Sequence, residues 1–134
     1  MNRRFLTIAG LLLALLLPTL ASAAKPAVSP AAVDELANAT DAPLLLDVRS
    51  PEEFAAGHLP GAVNIPHDQV AGRLDELDRS RWVLVYCRSG RRAGVAEEAL
   101  ADGGFDVRQI EGSWQRWEAE GRPVVVPAAG AASE

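Results

Sequence analysis

At 134 residues, with 49% hydrophobic and 23% charged side chains, the chain is long enough for one packed domain and too short for two. Its 13 basic and 18 acidic residues give a formal net charge of −5, which excludes a nucleic-acid binder relying on a basic face. One cysteine and two histidines exclude an internal disulfide and supply too few ligands for a zinc site, so neither a metal nor a cofactor is expected.

The first residues, Met1-Asn2-Arg3-Arg4, precede an uncharged, leucine-rich run of 13 residues from Phe5 to Leu17, followed by Pro18 and Ala21-Ser22-Ala23. This is the layout of a secretory signal peptide, with a basic start, an apolar stretch and an A-x-A cleavage site. The apolar stretch falls short of the ~20 residues that cross a bilayer, so residues 1–23 are expected to be cleaved, leaving no membrane span. Arg3-Arg4 resembles a twin-arginine signal, but the usual spacer is missing, and general secretion fits better. No cysteine near the cleavage site is available for a lipid anchor. Cleavage leaves 11 basic against 18 acidic residues. The mature protein is expected in the periplasm or secreted, with a domain over 24–126 and a disordered alanine-rich tail over 127–134.

Ser29-Pro30 reads as an N-cap with proline at the first helical position, opening a short helix through Val33 and Leu36. Leu44 to Val48 is an apolar run of strand length. Ser50-Pro51-Glu52-Glu53 has the form of a capping box for a brief helix that Gly57 closes. Ala62 to Ile65 reads as a second strand. Val70, Leu74 and Leu77 recur at helical spacing and predict a third helix from about Asp68. Val83 to Tyr86 has the uniformly apolar, β-prone character of a central strand covered on both faces. A helix from near Arg91 turns Ala93, Ala96, Ala99 and Leu100 to one side and ends at Gly103-Gly104. Asp106 to Ile110 reads as a strand, and Ser113 to Glu120 as a last helix stopped by Gly121 and Pro123. The alternation of strand and helix predicts an α/β domain with a mostly parallel sheet and helices on both faces.

Cys87 falls where the central strand ends and a helix begins, the position at which open α/β sheets bind ligands. The first amides of that helix have no internal partners and can hold an anion. Gly90 allows the tight turn that aims them. Arg88, Arg91 and Arg92 add positive charge at a helix end that disfavours cations, which calls for something negative nearby. Together these features favour Cys87 as a nucleophilic thiolate that attracts an anionic substrate. Burial of Cys87 in apolar surroundings, with the arginines merely solvating a turn, fits the local charge poorly.

Three motifs in order, Leu46-Asp47-Val48-Arg49 with Ser50-Pro51-Glu52-Glu53-Phe54, then Gly57-His58-Leu59-Pro60-Gly61-Ala62-Val63-Asn64-Ile65-Pro66, then Cys87-Arg88-Ser89-Gly90-Arg91, resemble the rhodanese family and its single-domain periplasmic members. The resemblance implies a five-stranded sheet and a thiosulfate sulfurtransferase. In that scheme Cys87 becomes a persulfide, and cyanide or a thiol removes the sulfur. Cys87 is then catalytic, Arg88, Ser89, Gly90, Arg91 and Arg92 form the substrate-binding loop, and Asp47 and Arg49 form an ion pair propping it. Phosphatases of the Cdc25 type share the fold but place five residues between cysteine and arginine, and here that position is Ala93. A small cysteine phosphatase or arsenate reductase is therefore the less favoured enzyme, and a sulfur-carrier module is the non-enzymatic alternative. The mercaptopyruvate branch has glycine after the cysteine, so Arg88 favours thiosulfate. His58 is expected to be a structural hydrogen-bonder, His67 ordinary surface, Ser113 a helix cap, and Trp114 and Trp117 core packing.

Overall fold

A computed structural model describes residues 24–128; the expected signal peptide over 1–23 and residues 129–134 of the expected tail lie outside the described residues. The elements run α1 (Pro30–Ala37), β1 (Leu44–Asp47), α2 (Pro51–Ala56), β2 (Val63–Asn64), β3 (Val83–Tyr86), α3 (Arg91–Asp102), β4 (Val107–Gln109) and α4 (Ser113–Ala119). The strands form one sheet in the order β2-β1-β3-β4, every pairing parallel. The sheet has four strands rather than the five implied by resemblance. The fifth is reduced to a single parallel bridge, in which Val28 pairs with Ile110, its N–H donating to the Gln109 carbonyl and its carbonyl accepting from the Glu111 N–H.

Side chains alternate across a strand, so each face of the sheet draws its own core. On one face Leu46, Val83, Val85 and Cys87 pack against Ala93, Ala96 and Leu100 of α3. On the other, Leu45, Leu84 and Tyr86 pack against Val33 of α1 and Trp117 of α4. All four residues of β3 are buried, as expected for the central strand. The small residues at 93 and 96 let α3 lie close to the sheet, and this approach brings its N-terminus to the end of β3.

The capping box at α2 is complete: Ser50 Oγ accepts from the Glu53 N–H and Glu53 Oε1 accepts from the Ser50 N–H, both at 3.2 Å. The helix predicted from Asp68 is instead two 3-10 turns, Val70–Gly72 and Leu74–Glu76. Gly72 costs helix stability there, and Arg73, at φ −128°, breaks the helical path between the turns. The apolar stripe nevertheless reaches the core, with Val70 and Leu77 buried and Leu74 packed beside them. Leu74 lies over Gly103 so closely that a β-carbon at 103 would come within 2.5 Å of its Cδ1.

Leu100 joins α3 to this core and is fully buried. Leu100→Ala is expected to lower unfolding free energy by about 2–5 kcal/mol in urea titrations. A loss below about 1 kcal/mol would show that α3 is not anchored through this position.

Candidate active site

Six residues, Cys87 to Arg92, link the last residue of β3 to the first turn of α3. Cys87 is buried, at 1% exposure, and its side chain belongs to the apolar face shared with Val85 and Ala93. The burial that the arginine-rich surroundings argued against is therefore present, but the sulfur is not sealed in hydrocarbon. The Gly90 N–H donates to Cys87 Sγ at 3.0 Å. This bond depends on Gly90, the N-cap of α3, which sits at φ 113° in the left-handed region that favours glycine. No side chain caps α3, so the amides of its first turn face the same loop. Arg88, Ser89 and Arg91 are exposed around it.

The loop's carbonyls are drawn the other way. The N–H groups of Trp114 and Gln115 in α4 donate to the carbonyls of Cys87 and Arg88 at 2.9 and 3.0 Å. The first amides of α4 thus hold the carbonyls of Cys87 and Arg88, while the Gly90 N–H is directed onto the sulfur. Ser113 contributes in an unexpected role. Gly112, not Ser113, caps α4; Ser113 is its first residue, at φ 51°, and its buried Oγ accepts the Cys87 N–H at 3.3 Å. A left-handed non-glycine residue costs roughly 1–2 kcal/mol, which the bond to the cysteine's own amide helps to offset.

Asp47 and Arg49 form the expected ion pair, and both are buried. Arg49 Nη2 donates to Asp47 Oδ2 at 2.7 Å and its Nε to both carboxylate oxygens at 3.1 Å. Arg49 Nη2 also reaches the Gly57 carbonyl at 2.7 Å, and its guanidinium lies 4.2 Å from the centre of the Trp114 ring. Burial opposes the charge on Arg49, but hydrogen bonding and attraction to Asp47 outweigh it and raise its pKa. Tyr86, paired with Asp47 across β1 and β3, donates its hydroxyl to Asp47 Oδ2 at 2.6 Å and accepts the Leu59 N–H at 3.1 Å. Burial and the neighbouring Asp47 carboxylate push the Tyr86 pKa up, which keeps it a donor. The residue before the cysteine is thereby tied to β1 and to the turn after α2. Trp117 is core, as expected, and Trp114 packs half-buried against the same core while its ring also meets the Arg49 guanidinium at the site. His58 is structural: its backbone exchanges two 2.9 Å bonds with Val125, and its ring stacks on Phe54 at 3.7 Å.

Two site residues, Tyr86 and Glu53, had no signal of their own in the sequence. Glu53 reads there only as a capping acid, yet Arg92 Nη1 and Nη2 also donate to its two oxygens at 2.7 and 3.1 Å. The hydrogen bond from Arg92 is the main reason its pKa falls from 4.5 to about 2. An open groove of about 720 Å³ passes the loop between Glu53, Arg88, Trp114 and Gln115.

Residues 29–120 match the family described as Rhodanese-like domain. The chain belongs to that family. It is 36% identical over 89 residues to a sulfurtransferase of Allochromatium vinosum, covering 66% of this chain and 83% of that protein. It is also 41% identical over 83 residues to an HTH-type transcriptional regulator of Mycobacterium tuberculosis, covering 60% of this chain but only 36% of the regulator. Among solved structures, a rhodanese-related protein of Thermoplasma volcanium superposes with a TM-score of 0.70 at 31% identity, covering 77% of this chain and all of that one. In this rhodanese-like domain the loop, the buried Asp47–Arg49 pair and the Glu53–Arg92 pair converge on the end of β3.

Because Glu53 has a lower pKa folded than unfolded, the unfolded chain binds more protons between about pH 4.5 and 2, and acidification through that window removes stability. Wild-type protein is expected to be more stable than Glu53→Gln at pH 6, with the gap closing as pH falls towards 2.5. Urea titrations across that range check this, and a gap independent of pH would contradict the Arg92 pairing.

Proposed function

We propose that this protein is a thiosulfate sulfurtransferase that carries sulfane sulfur as a Cys87 persulfide and passes it to cyanide or a thiol. Family membership and the sulfurtransferase among its relatives support sulfur transfer in general. The observation that carries the finer reading is the Gly90 N–H on Cys87 Sγ, in a loop flanked by three arginines. An amide aimed at sulfur, beside a helix N-terminus, favours a sulfur anion. A nucleophile of this kind needs no histidine base, and His58 is committed to packing.

In the proposed cycle the Cys87 thiolate attacks the outer sulfur of thiosulfate. The sulfur–sulfur bond of the donor breaks, sulfite leaves with the bonding pair, and the persulfide remains as an anion on Cys87. The charge on sulfur is the same before and after, so one set of donors serves both states. Attack by the acceptor on the terminal sulfur restores the thiolate. Arg88 and Arg91, exposed at the loop rim, suit the sulfonate end of the donor.

Loop length argues against phosphoryl chemistry. The position at which a phosphatase of the Cdc25 type would carry its arginine is Ala93, which is fully buried against the sheet. An arginine side chain there would meet the core rather than a phosphoryl group. The leader-like residues 1–23 extend the proposal to a reaction outside the cytoplasm, where a lone thiol has no internal disulfide partner.

Incubation with thiosulfate, followed by intact-protein mass spectrometry, is expected to show the gain of one sulfur atom. Cys87→Ser should abolish both this adduct and thiocyanate formation from cyanide. A folded wild-type protein that never gains sulfur would overturn the reading.

A further inference from the structure

The three arginines of the loop are not equivalent. Among the described residues, Arg88 and Arg91 make no ion pair, whereas Arg92 is held by both oxygens of Glu53, 39 residues earlier in the chain. That bidentate grip engages two of the five guanidinium donors and cancels the charge locally. Glu53 is itself fixed by the Ser50 capping box, so the acid is presented by the fold rather than by a free side chain. The pair remains open to solutes, with side-chain exposures of 28% and 32%. It also lies within electrostatic reach of the sulfur, since an anionic Cys87 contributes to raising the Arg92 pKa after the larger effect of Glu53. Glu53 and Arg88 line the same groove beside the loop.

We propose that Glu53 is a specificity-determining residue: by occupying Arg92 it limits the positive charge that the loop presents to a bound oxyanion, so that sulfite departs after sulfur transfer instead of remaining seated. This rests on the sulfurtransferase reading and deepens it. Donor and leaving group both carry an oxyanion end, so a loop with three available guanidinium groups would hold the product as firmly as it recruits the substrate. With Arg92 engaged, the remaining two arginines hold the oxyanion end more weakly.

The test uses inorganic sulfate as a non-reacting oxyanion and measures how much of it protects Cys87 from alkylation by iodoacetamide. In Glu53→Gln the half-protective sulfate concentration is expected to fall on the order of tenfold, the value of one added charge-assisted hydrogen bond. Glutamine can still accept from the Ser50 N–H, so α2 keeps its cap, and a thermal melt checks that the variant is folded. In the double variant Glu53→Gln with Arg92→Gln the concentration should return to near the wild-type value, because both charges of the pair are removed together. No change in Glu53→Gln would overturn the proposal, and so would a gain that persists in the double variant. Alkylation requires no sulfur transfer. Loss of persulfide formation with the sulfate shift intact would therefore sink the functional reading alone.

Discussion

The hydrogen bond from the Gly90 amide to Cys87 Sγ is the constraint around which the rest of the molecule is arranged. A sulfur at the end of a buried strand would ordinarily be one more apolar core atom. Here the chain turns so sharply after it that a peptide donor comes back onto it. That turn requires a left-handed residue at position 90, and glycine supplies it without a steric cost. Apolar walls on one side and the Gly90 N–H on the other give the buried sulfur an environment in which a nearby dipole acts more strongly than it would in water.

Holding that turn open falls to parts of the chain distant in sequence. The amides of α4 take the loop's carbonyls, and the Ser113 hydroxyl takes the cysteine's own N–H. Beneath them the Asp47–Arg49 pair, the Tyr86 hydroxyl and the Leu59 amide lock the ends of β1 and β3 to the turn after α2. Breaking a buried ion pair by removing one partner leaves an uncompensated charge, at a cost of about 3–5 kcal/mol. A satisfied network of this sort makes the loop's position insensitive to small perturbations elsewhere. The site is thus built on rigid elements, although its reactive atom lies in a loop.

Much of this was legible in the residues because it is local. The capping box at Ser50 and Glu53, the apolar β3 and the cysteine directly following it are all encoded within a few positions, and they appear where expected. What escaped depends on contacts between distant segments or on backbone geometry that spacing does not reveal. Val70, Leu74 and Leu77 have helical spacing, but Gly72 and the break at Arg73 turn the same stripe into two 3-10 turns. Ser113 has the chemistry of a helix cap, yet Gly112 takes that place and its hydroxyl serves the cysteine instead. Glu53 meets Arg92 across 39 residues, a contact created only when α2 and α3 meet at the same end of the sheet.

A cradle for persulfide sulfur stands or falls on where the second sulfur goes. A crystal structure of the thiosulfate-treated protein tests it most directly. Density is expected for an additional sulfur on Cys87 Sγ, within hydrogen-bonding reach of the peptide N–H groups at the start of α3. An added sulfur directed into the apolar face beside Val85, with those N–H groups turned away from it, would show that the loop does not cradle the persulfide.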